Sequence, residues 1–268
     1  MFKLGISAGL RSEMKLEDQL PLIKAAGFDS FFTSWSPTQP IETYANIAQK
    51  CGLIYETLHA PFDHMNDMWL DNIEGDACLK RLMSCVDSCS NNGIGKMITH
   101  VTVSSVAPPV SKIGETRFGK LIEHADKSSV KIALENLEIP EHLSYLFDKF
   151  SDCKNVGFCW DCGHNNCYTP NTDMMELYSD RLICTHIHDN FGVKNPPIIT
   201  WHDDLHYMPF DGNIDFSEFG KKIKKSGYQD ILTVELNVQA KPEYKVLSTE
   251  DFIKEAYKRA LKIAELCK

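Results

Sequence analysis

The chain has 268 residues, of which 43% are apolar, and a formal net charge of −9. This composition supports a large buried core and disfavours a partner that is held only through phosphate groups. No apolar run approaches the roughly 20 residues of a membrane span, and the ten cysteines follow no disulfide-like spacing, so we expect a soluble, cytoplasmic protein with reduced thiols and no membrane partner.

Strands and helices are predicted to alternate along the whole chain. The predicted strands are 2–7, 29–32, 54–59, 97–100, 131–135, 156–161, 182–186 and 231–235, and the predicted helices are 16–26, 41–50, 74–91, 112–127, 142–150, 172–178, 215–225 and 250–266. Gly27 and Gly52 stand where the first two helices should end. Eight strand–helix pairs without a low-complexity linker predict an α/β fold, a single (β/α)8 TIM barrel that spans residues 1–268 as one domain.

Six of the predicted strands end at a residue that can bind a divalent metal. These residues are His59, His100, Glu135, Asp161, His186 and Glu235, and three more, His164, Asp204 and His206, follow in nearby loops. Because a (β/α)8 barrel builds its active site from the carboxyl ends of its strands, this distribution predicts a metal-dependent enzyme.

The segments that carry these residues resemble one known superfamily. They are Leu58-His59-Ala60-Pro61-Phe62, Ala133-Leu134-Glu135-Asn136-Leu137, Trp160-Asp161-Cys162-Gly163-His164, His186-Ile187-His188-Asp189-Asn190, 209–216 (PFDGNIDF) and Val234-Glu235-Leu236. Together they resemble the xylose isomerase-like TIM barrels, which include sugar and sugar-phosphate isomerases and epimerases and the AP endonucleases of the endonuclease IV type.

The isomerase branch implies one metal ion and two catalytic glutamates. Its Glu, Asp, His, Glu pattern falls on Glu135, Asp161, His186 and Glu235. In that branch the ion binds two adjacent sugar oxygens, and the two glutamates move a proton through a metal-stabilised enediolate. Mixed oxygen and nitrogen ligands suit several divalent ions, and zinc or manganese is our expectation.

The endonuclease IV branch implies three zinc ions and hydrolysis of a phosphodiester. Its additional ligands match His59, His100, His164, Asp204 and His206, which we therefore predict to bind further metal or substrate. Asp204 and His206 are two residues apart, so in an extended segment they would point to the same side. We expect one bound ion, and the additional ligands would allow up to three.

The loops of the expected catalytic face favour a small carbohydrate. They carry more acidic than basic residues, and an enzyme that grips DNA needs several phosphate contacts. Trp35, Phe62, Trp69, Trp201 and Phe210 fall in or beside these loops and suit the apolar face of a polyol. We therefore favour a sugar or sugar-phosphate isomerase or epimerase; a multi-zinc phosphodiesterase is the main alternative, and a polyol dehydratase or lyase is a third.

Two further expectations concern His188 and assembly. His188 is predicted to point away from His186, outward from the site, in a structural role. The sequence leaves homo-oligomerisation open and identifies no protein partner.

Overall fold

Eight parallel strands form one sheet in the computed structural model, which describes residues 2–11, 13–196 and 198–268. The strands are β1 (Lys3–Ser7), β2 (Ser30–Ser34), β3 (Ile54–His59), β4 (Lys96–Thr99), β5 (Lys131–Glu135), β6 (Val156–Asp161), β7 (Leu182–His186) and β8 (Ile231–Val234). From β1 to β7 each strand pairs with the next one along the chain, and β8 pairs with β1. The predicted (β/α)8 barrel is confirmed.

The ring closes between β7 and β8 through contacts just beyond the end of β7. Ile187 forms a parallel bridge with Val234; its N–H donates to the Thr233 carbonyl (2.9 Å), and its carbonyl accepts from the Glu235 N–H (3.1 Å). These bonds bring the chain after His186 beside the chain that carries Glu235. Closure of the barrel therefore also assembles two ends of the candidate site.

Helices cover the outside of the barrel. They are α1 (Leu16–Ala26), α2 (Ile41–Cys51), α3 (Ile73–Asn91), α4 (Lys112–Lys127), α5 (Pro140–Lys149), α6 (Cys162–Tyr168), α7 (Met174–Tyr178), α8 (Phe216–Ser226), α9 (Pro242–Lys245) and α10 (Thr249–Leu266), with 3-10 helices at Met65–Trp69 and Ser179–Arg181. Gly27 and Gly52 adopt positive φ values of 115° and 69° at the ends of α1 and α2, a conformation that glycine adopts without steric cost. The sequence did not predict α6, α9 or the two 3-10 helices, all of which are seven residues or shorter.

A polar network lies inside the barrel near its amino-terminal end. Buried Glu56 on β3 accepts hydrogen bonds from Thr233 Oγ1 on β8 (2.6 Å) and Ser30 Oγ on β2 (3.2 Å), and Lys96 Nζ lies 3.6 Å from it. Since β3 and β8 are not neighbours in the sheet, the Glu56–Thr233 bond crosses the interior. These groups satisfy one another's hydrogen bonds. Buried side-chain atoms without a hydrogen-bond partner in the described part of the chain, such as Asp161 Oδ2 and Asp204 Oδ1, lie at the opposite, carboxyl end.

Two further features of the fold are the state of the cysteines and the lengths of the helices. All ten cysteines are free thiols, eight of them buried. Across the described residues, every helix is too short or too polar to cross a bilayer.

Candidate active site

The predicted ligand residues converge at the carboxyl end of the barrel into three adjoining groups, two of which share Glu135. We call Glu135, Asp161, His186 and Glu235 the central cluster; His59, His100 and Glu135 the histidine cluster; and His164, His188, Asp204 and His206 the loop cluster. In each group, one ligand atom from every member lies within 4.8 Å of those of the others. All nine residues selected from sequence therefore belong to a group.

The central cluster is built around Nδ1 of His186. This atom lies 2.6 Å from Glu135 Oε1, 3.0 Å from Glu235 Oε2 and 4.0 Å from Asp161 Oδ2. Glu135, Asp161 and His186 are fully buried, and the Glu235 side chain is 22% exposed. The ring of His186 stacks on Phe32 with ring centroids 4.7 Å apart, which fixes its plane.

Asp161 is held in place by the residues on either side of the strand ends. Its Oδ1 accepts a hydrogen bond from the His164 N–H (2.6 Å), so it caps the N-terminus of α6. Asn136 pairs with its backbone in both directions, donating to the Asp161 carbonyl and accepting from the Asp161 N–H at 2.9 Å each. The second carboxylate oxygen of Asp161, Oδ2, is buried and has no hydrogen-bond partner among the described residues.

In the histidine cluster, His59 and His100 approach the other oxygen of Glu135. Their Nε2 atoms lie 3.1 and 3.0 Å from Glu135 Oε2. His59 Nδ1 donates to the Ala60 carbonyl (2.9 Å), which leaves Nε2 as the atom that can bind an ion. Glu135 thus faces histidines with both of its oxygens.

The loop cluster corrects the prediction for His188. This residue is fully buried, its Nε2 lies 3.1 Å from Asp161 Oδ1 and 3.6 Å from Asp204 Oδ1, and its ring stacks on His206 at 3.8 Å. Asp204 Oδ2 also lies 2.9 Å from His206 Nε2 and 3.1 Å from His164 Nε2. The outward orientation was wrong, because residues two apart in an extended segment share a side.

In the metal-free protein, burial and charge pairing shift the pKa values of several cluster residues. Despite burial, opposite charges lower the pKa of Glu135 and Asp204 and raise that of His164, whereas burial lowers the pKa of His100. Burial alone would lower the pKa of His186, but the charges of Glu235 and Glu135 raise it well above its ordinary value. Burial would also lower the pKa of His206, yet the charge of Asp204 raises it to about 9. In the opposite sense, burial would raise the pKa of Glu235, and His186 lowers it below its usual range.

These residues fit a divalent cation. A buried carboxylate oxygen without a donor, such as Asp161 Oδ2, is costly unless a positive charge faces it. His188 Nδ1 and Asp204 Oδ1 are also buried without a hydrogen-bond partner in the described part of the chain. Mixed nitrogen and oxygen donors of this kind are typical ligands of zinc and manganese.

The clusters open into a pocket of about 550 Å³. Phe62 and Trp201 line it, as the sequence predicted, and are 52% and 74% exposed. Leu137, Glu138 and Tyr168 also line it and were not identified from sequence. Glu138 is half-buried, and burial raises its pKa. The pocket therefore joins an apolar wall to a floor formed by the histidines and carboxylates of the clusters.

Trp35, Trp69 and Phe210 lie outside this pocket, which corrects their predicted contact with substrate. Trp69 is 2% exposed, donates from Nε1 to the Val101 carbonyl (2.8 Å) and packs against Phe118. Trp35 donates to Ser88 Oγ (2.8 Å) from within the core, and Phe210 packs against Phe216. Each indole N–H has a protein partner, so these tryptophans are packing residues.

A model of the xylose isomerase-like TIM barrel family matches residues 20–260. This chain therefore belongs to that family, as its strand-end motifs predicted.

Two relatives illustrate the range of similarity. The chain is 33% identical over 156 residues to "Uncharacterized protein y4fM" of Sinorhizobium fredii, a match that covers 56% of this chain and 46% of that protein. It is 24% identical over 188 residues to inosose isomerase of Bacillus subtilis, which covers 66% of each. The chain thus spans about half the length of the first relative and two thirds of the second.

Solved structures with the same fold include sugar-modifying enzymes. The IolI protein with a bound zinc atom superposes with a TM-score of 0.78 at 19% identity, covering 99% of this chain and 98% of that one. D-psicose 3-epimerase with D-tagatose, from Clostridium cellulolyticum H10, gives 0.75 at 14% identity and covers both chains fully. At these identities the likeness establishes the fold, and the names agree with the predicted isomerase or epimerase class.

Proposed function

We propose that this chain is a divalent-metal-dependent isomerase or epimerase that acts on a small sugar. The observation that carries the proposal is the pair Glu135 and Glu235, which both line the pocket and approach the same atom of His186 at 2.6 and 3.0 Å. Two carboxylates at one pocket allow one to remove a proton from a sugar carbon and the other to return one. The isomerase and epimerase relatives support this reaction class.

The central cluster would hold the ion, with Glu135, Asp161, His186 and Glu235 as ligands. A bound cation stabilises the negative charge that develops on a substrate oxygen when the neighbouring carbon loses its proton. The protein contributes the fixed positions: Asp161 is held by the N-terminus of α6 and by Asn136, and His186 by the ring of Phe32. Zinc or manganese is the proposed metal.

The two glutamates are suited to proton transfer by their ionisation and their access to the pocket. Despite burial, His186 lowers the pKa of Glu135 and Glu235 well below their ordinary range, so both are carboxylates at neutral pH. Glu235 keeps 22% of its side chain exposed whereas Glu135 is fully buried. Glu235 is therefore the proposed first proton acceptor, and Glu135 its counterpart.

Hydrogen exchange tests this proposal directly. Protein purified without chelators is incubated with free ketohexoses in D2O, and NMR follows deuterium entering the carbon next to the carbonyl. Glu235→Gln should lower the exchange rate by at least about 10³-fold, because an amide cannot accept the proton. The matched control is Glu243→Gln on α9, an exposed glutamate that should leave the rate unchanged. Normal exchange in Glu235→Gln would remove Glu235 from the mechanism.

The loop cluster favours one second candidate, hydrolysis of a phosphodiester. Its four donors adjoin the central cluster through the 3.1 Å approach of His188 to Asp161, so the site has enough ligands for more than one ion. Metal analysis separates the candidates: two or three ions per chain, together with cleavage of abasic DNA that His206→Ala abolishes, would favour the hydrolase. One ion and no cleavage would leave the isomerase proposal standing.

A further inference from the structure

The pocket wall has an unusual charge balance. Five carboxyl groups line it, namely Asp63, Glu135, Glu138, Asp204 and Glu235, together with five histidines, His59, His64, His100, His164 and His206. Among the described residues, the lining includes no lysine and no arginine. An enzyme that recognises a phosphate ester needs cationic or N–H groups around the phosphate. Four of the lining histidines belong to the clusters that would hold metal, and the fifth, His64, is paired with Asp67 at 2.9 Å.

Metal binding does not remove this imbalance. Glu135, Asp204 and Glu235 belong to the clusters that would share the charge of bound ions, but Asp63 and Glu138 do not. Both remain on the wall as hydrogen-bond acceptors or negative charges. Beyond the metal centre, the wall therefore keeps two carboxyl groups that no bound ion would engage.

Glu138 is the more informative of the two. It lies three residues after Glu135 and beside Leu137, and it lines the same pocket as Tyr168 and Trp201. Its Oε2 is buried and has no hydrogen-bond partner among the described residues. A buried oxygen of this kind lacks the partner that such groups almost always have, and a ligand hydroxyl would supply it.

We propose that the pocket selects an unphosphorylated polyol or ketose, and that Glu138 binds one of its hydroxyl groups away from the metal. The proposal rests on the proposed function. A phosphate dianion beside Asp63 and Glu138, away from the metal, would meet carboxyl groups and no lysine or arginine among the described lining residues, which disfavours the phosphorylated substrate. A neutral sugar instead offers hydroxyl donors to the carboxyl groups and an apolar ring face to Phe62 and Trp201.

The first test compares free ketohexoses with their terminal phosphate esters. Binding to the metal-loaded protein is measured by calorimetry, and turnover by hydrogen exchange in D2O. We expect kcat/KM to be at least about 100-fold higher for the free sugar than for its phosphate ester. We also expect the free sugar to bind more tightly. A phosphate ester that binds or reacts as well as the free sugar would overturn the proposal.

The second test concerns Glu138 itself. Glu138→Leu should raise KM about tenfold and leave kcat and metal content near those of the unaltered protein, because only a substrate hydrogen bond is lost. Glu138→Gln retains an acceptor and should show a smaller rise, while Glu141→Gln, an exposed glutamate in the first turn of α5, should show none. An unchanged KM in Glu138→Leu would exclude the contact.

The outcomes distinguish this proposal from the proposed function. Hydrogen exchange with phosphate esters in preference to free sugars would overturn the substrate class and leave the isomerase function intact. Preferential binding of free sugars without any exchange would support the substrate class and overturn the isomerase function. If no sugar binds or exchanges, both proposals fail.

Discussion

Glu135 is the residue on which the site depends most. One oxygen faces His186 at 2.6 Å, and the other faces His59 and His100 at 3.1 and 3.0 Å. It is fully buried, so its charge cannot be compensated by water. The sequence identified Glu135 as a ligand from its place at the end of β5, but its position between two clusters depends on β3, β4 and β7.

The outward orientation predicted for His188 is wrong because the two-residue spacing that pairs Asp204 with His206 applies to it as well. Residues two apart in an extended segment point to the same side, which is why Asp204 and His206 are expected to act together. The same spacing separates His186 from His188. The correct signal was therefore present in the sequence His186-Ile187-His188. The structure also shows what spacing alone does not: the two histidines join different clusters, since His188 contacts Asp204.

Protonation of the histidines predicts that metal affinity depends on pH. Asp204 raises the pKa of His206 to about 9, and carboxylates raise the pKa of His164 and His186 despite their burial. These rings carry protons at neutral pH in the metal-free protein, and an ion must displace them. Affinity should rise by about tenfold per pH unit for each proton displaced, as measured with a competing chromophoric chelator from pH 6 to 8.

A histidine replacement provides the control for this pH dependence. His206→Gln removes one titrating ring and should reduce the slope by up to one proton. An affinity that does not change across the same pH range would contradict the protonated state described above.

At the scale of the elements, α6 connects two clusters. The helix begins immediately after Asp161, which caps it, and its third residue is His164 of the loop cluster. The sequence predicted the two ligands but not the helix between them, because a seven-residue segment has too few turns to show helical periodicity. The hydrogen bond by which Asp161 caps α6 therefore also orients the carboxylate of Asp161.

Gly163 on α6 leads to a specific prediction. A Cβ at this position would lie 1.9 Å from Cε1 and 2.3 Å from both nitrogens of His188, so the ring would have to move. Gly163→Ala should remove one equivalent of bound metal at the loop cluster and destabilise the fold by about 1–3 kcal/mol, although alanine favours helices. Elemental analysis and chemical denaturation measure the two effects.

The matched control is Gly95→Ala, just before β4, where a Cβ would meet no atom within 4 Å. This variant should keep both metal content and stability. Full metal content in Gly163→Ala would mean that His188 is not a required ligand.

Trp69 illustrates a limit of motif-based prediction at the same scale. Its neighbours in sequence suggested a loop beside the site, but the loop folds into a 3-10 helix that places the indole against Gly114 of α4, where a Cβ would lie 2.1 Å from the ring. Whether an aromatic residue in a long loop faces a ligand or the core depends on such packing, which the local sequence does not encode.

For the whole molecule, the site is a concentration of unsatisfied charge at one end of a well-packed barrel. The amino-terminal end holds the buried carboxylate of Glu56, which has hydroxyl partners and a lysine. The carboxyl end brings together Asp161, Glu135 and Glu235 beside histidines. The metal-free molecule is therefore expected to be less stable than the metal-loaded one.

Chelation measures this contribution to stability. Removal of metal should lower the melting temperature by about 5–10 °C, and zinc or manganese added at about 100 times its Kd should restore it. Asp161→Asn keeps a capping oxygen for α6 but loses the charge, so its melting temperature should respond little to chelation. Equal melting temperatures with and without chelator in the unaltered protein would contradict a high-affinity site.

The sequence by itself determined the fold and nine of the ten cluster residues. Buried strands that stop at His, Asp or Glu are a local pattern, and a (β/α)8 barrel carries all such ends to one face, so the periodicity of the chain was sufficient for six of them. His164, Asp204 and His206 lie in loops and were predicted from the resemblance to the endonuclease IV branch. Tertiary structure decided how these residues divide into three clusters, which aromatic side chains line the pocket, and that Oε2 of Glu138 is buried at its wall without a hydrogen-bond partner among the described residues. Those properties depend on distances between residues as far apart as His59 and Glu235, and such distances exist only once the barrel has closed.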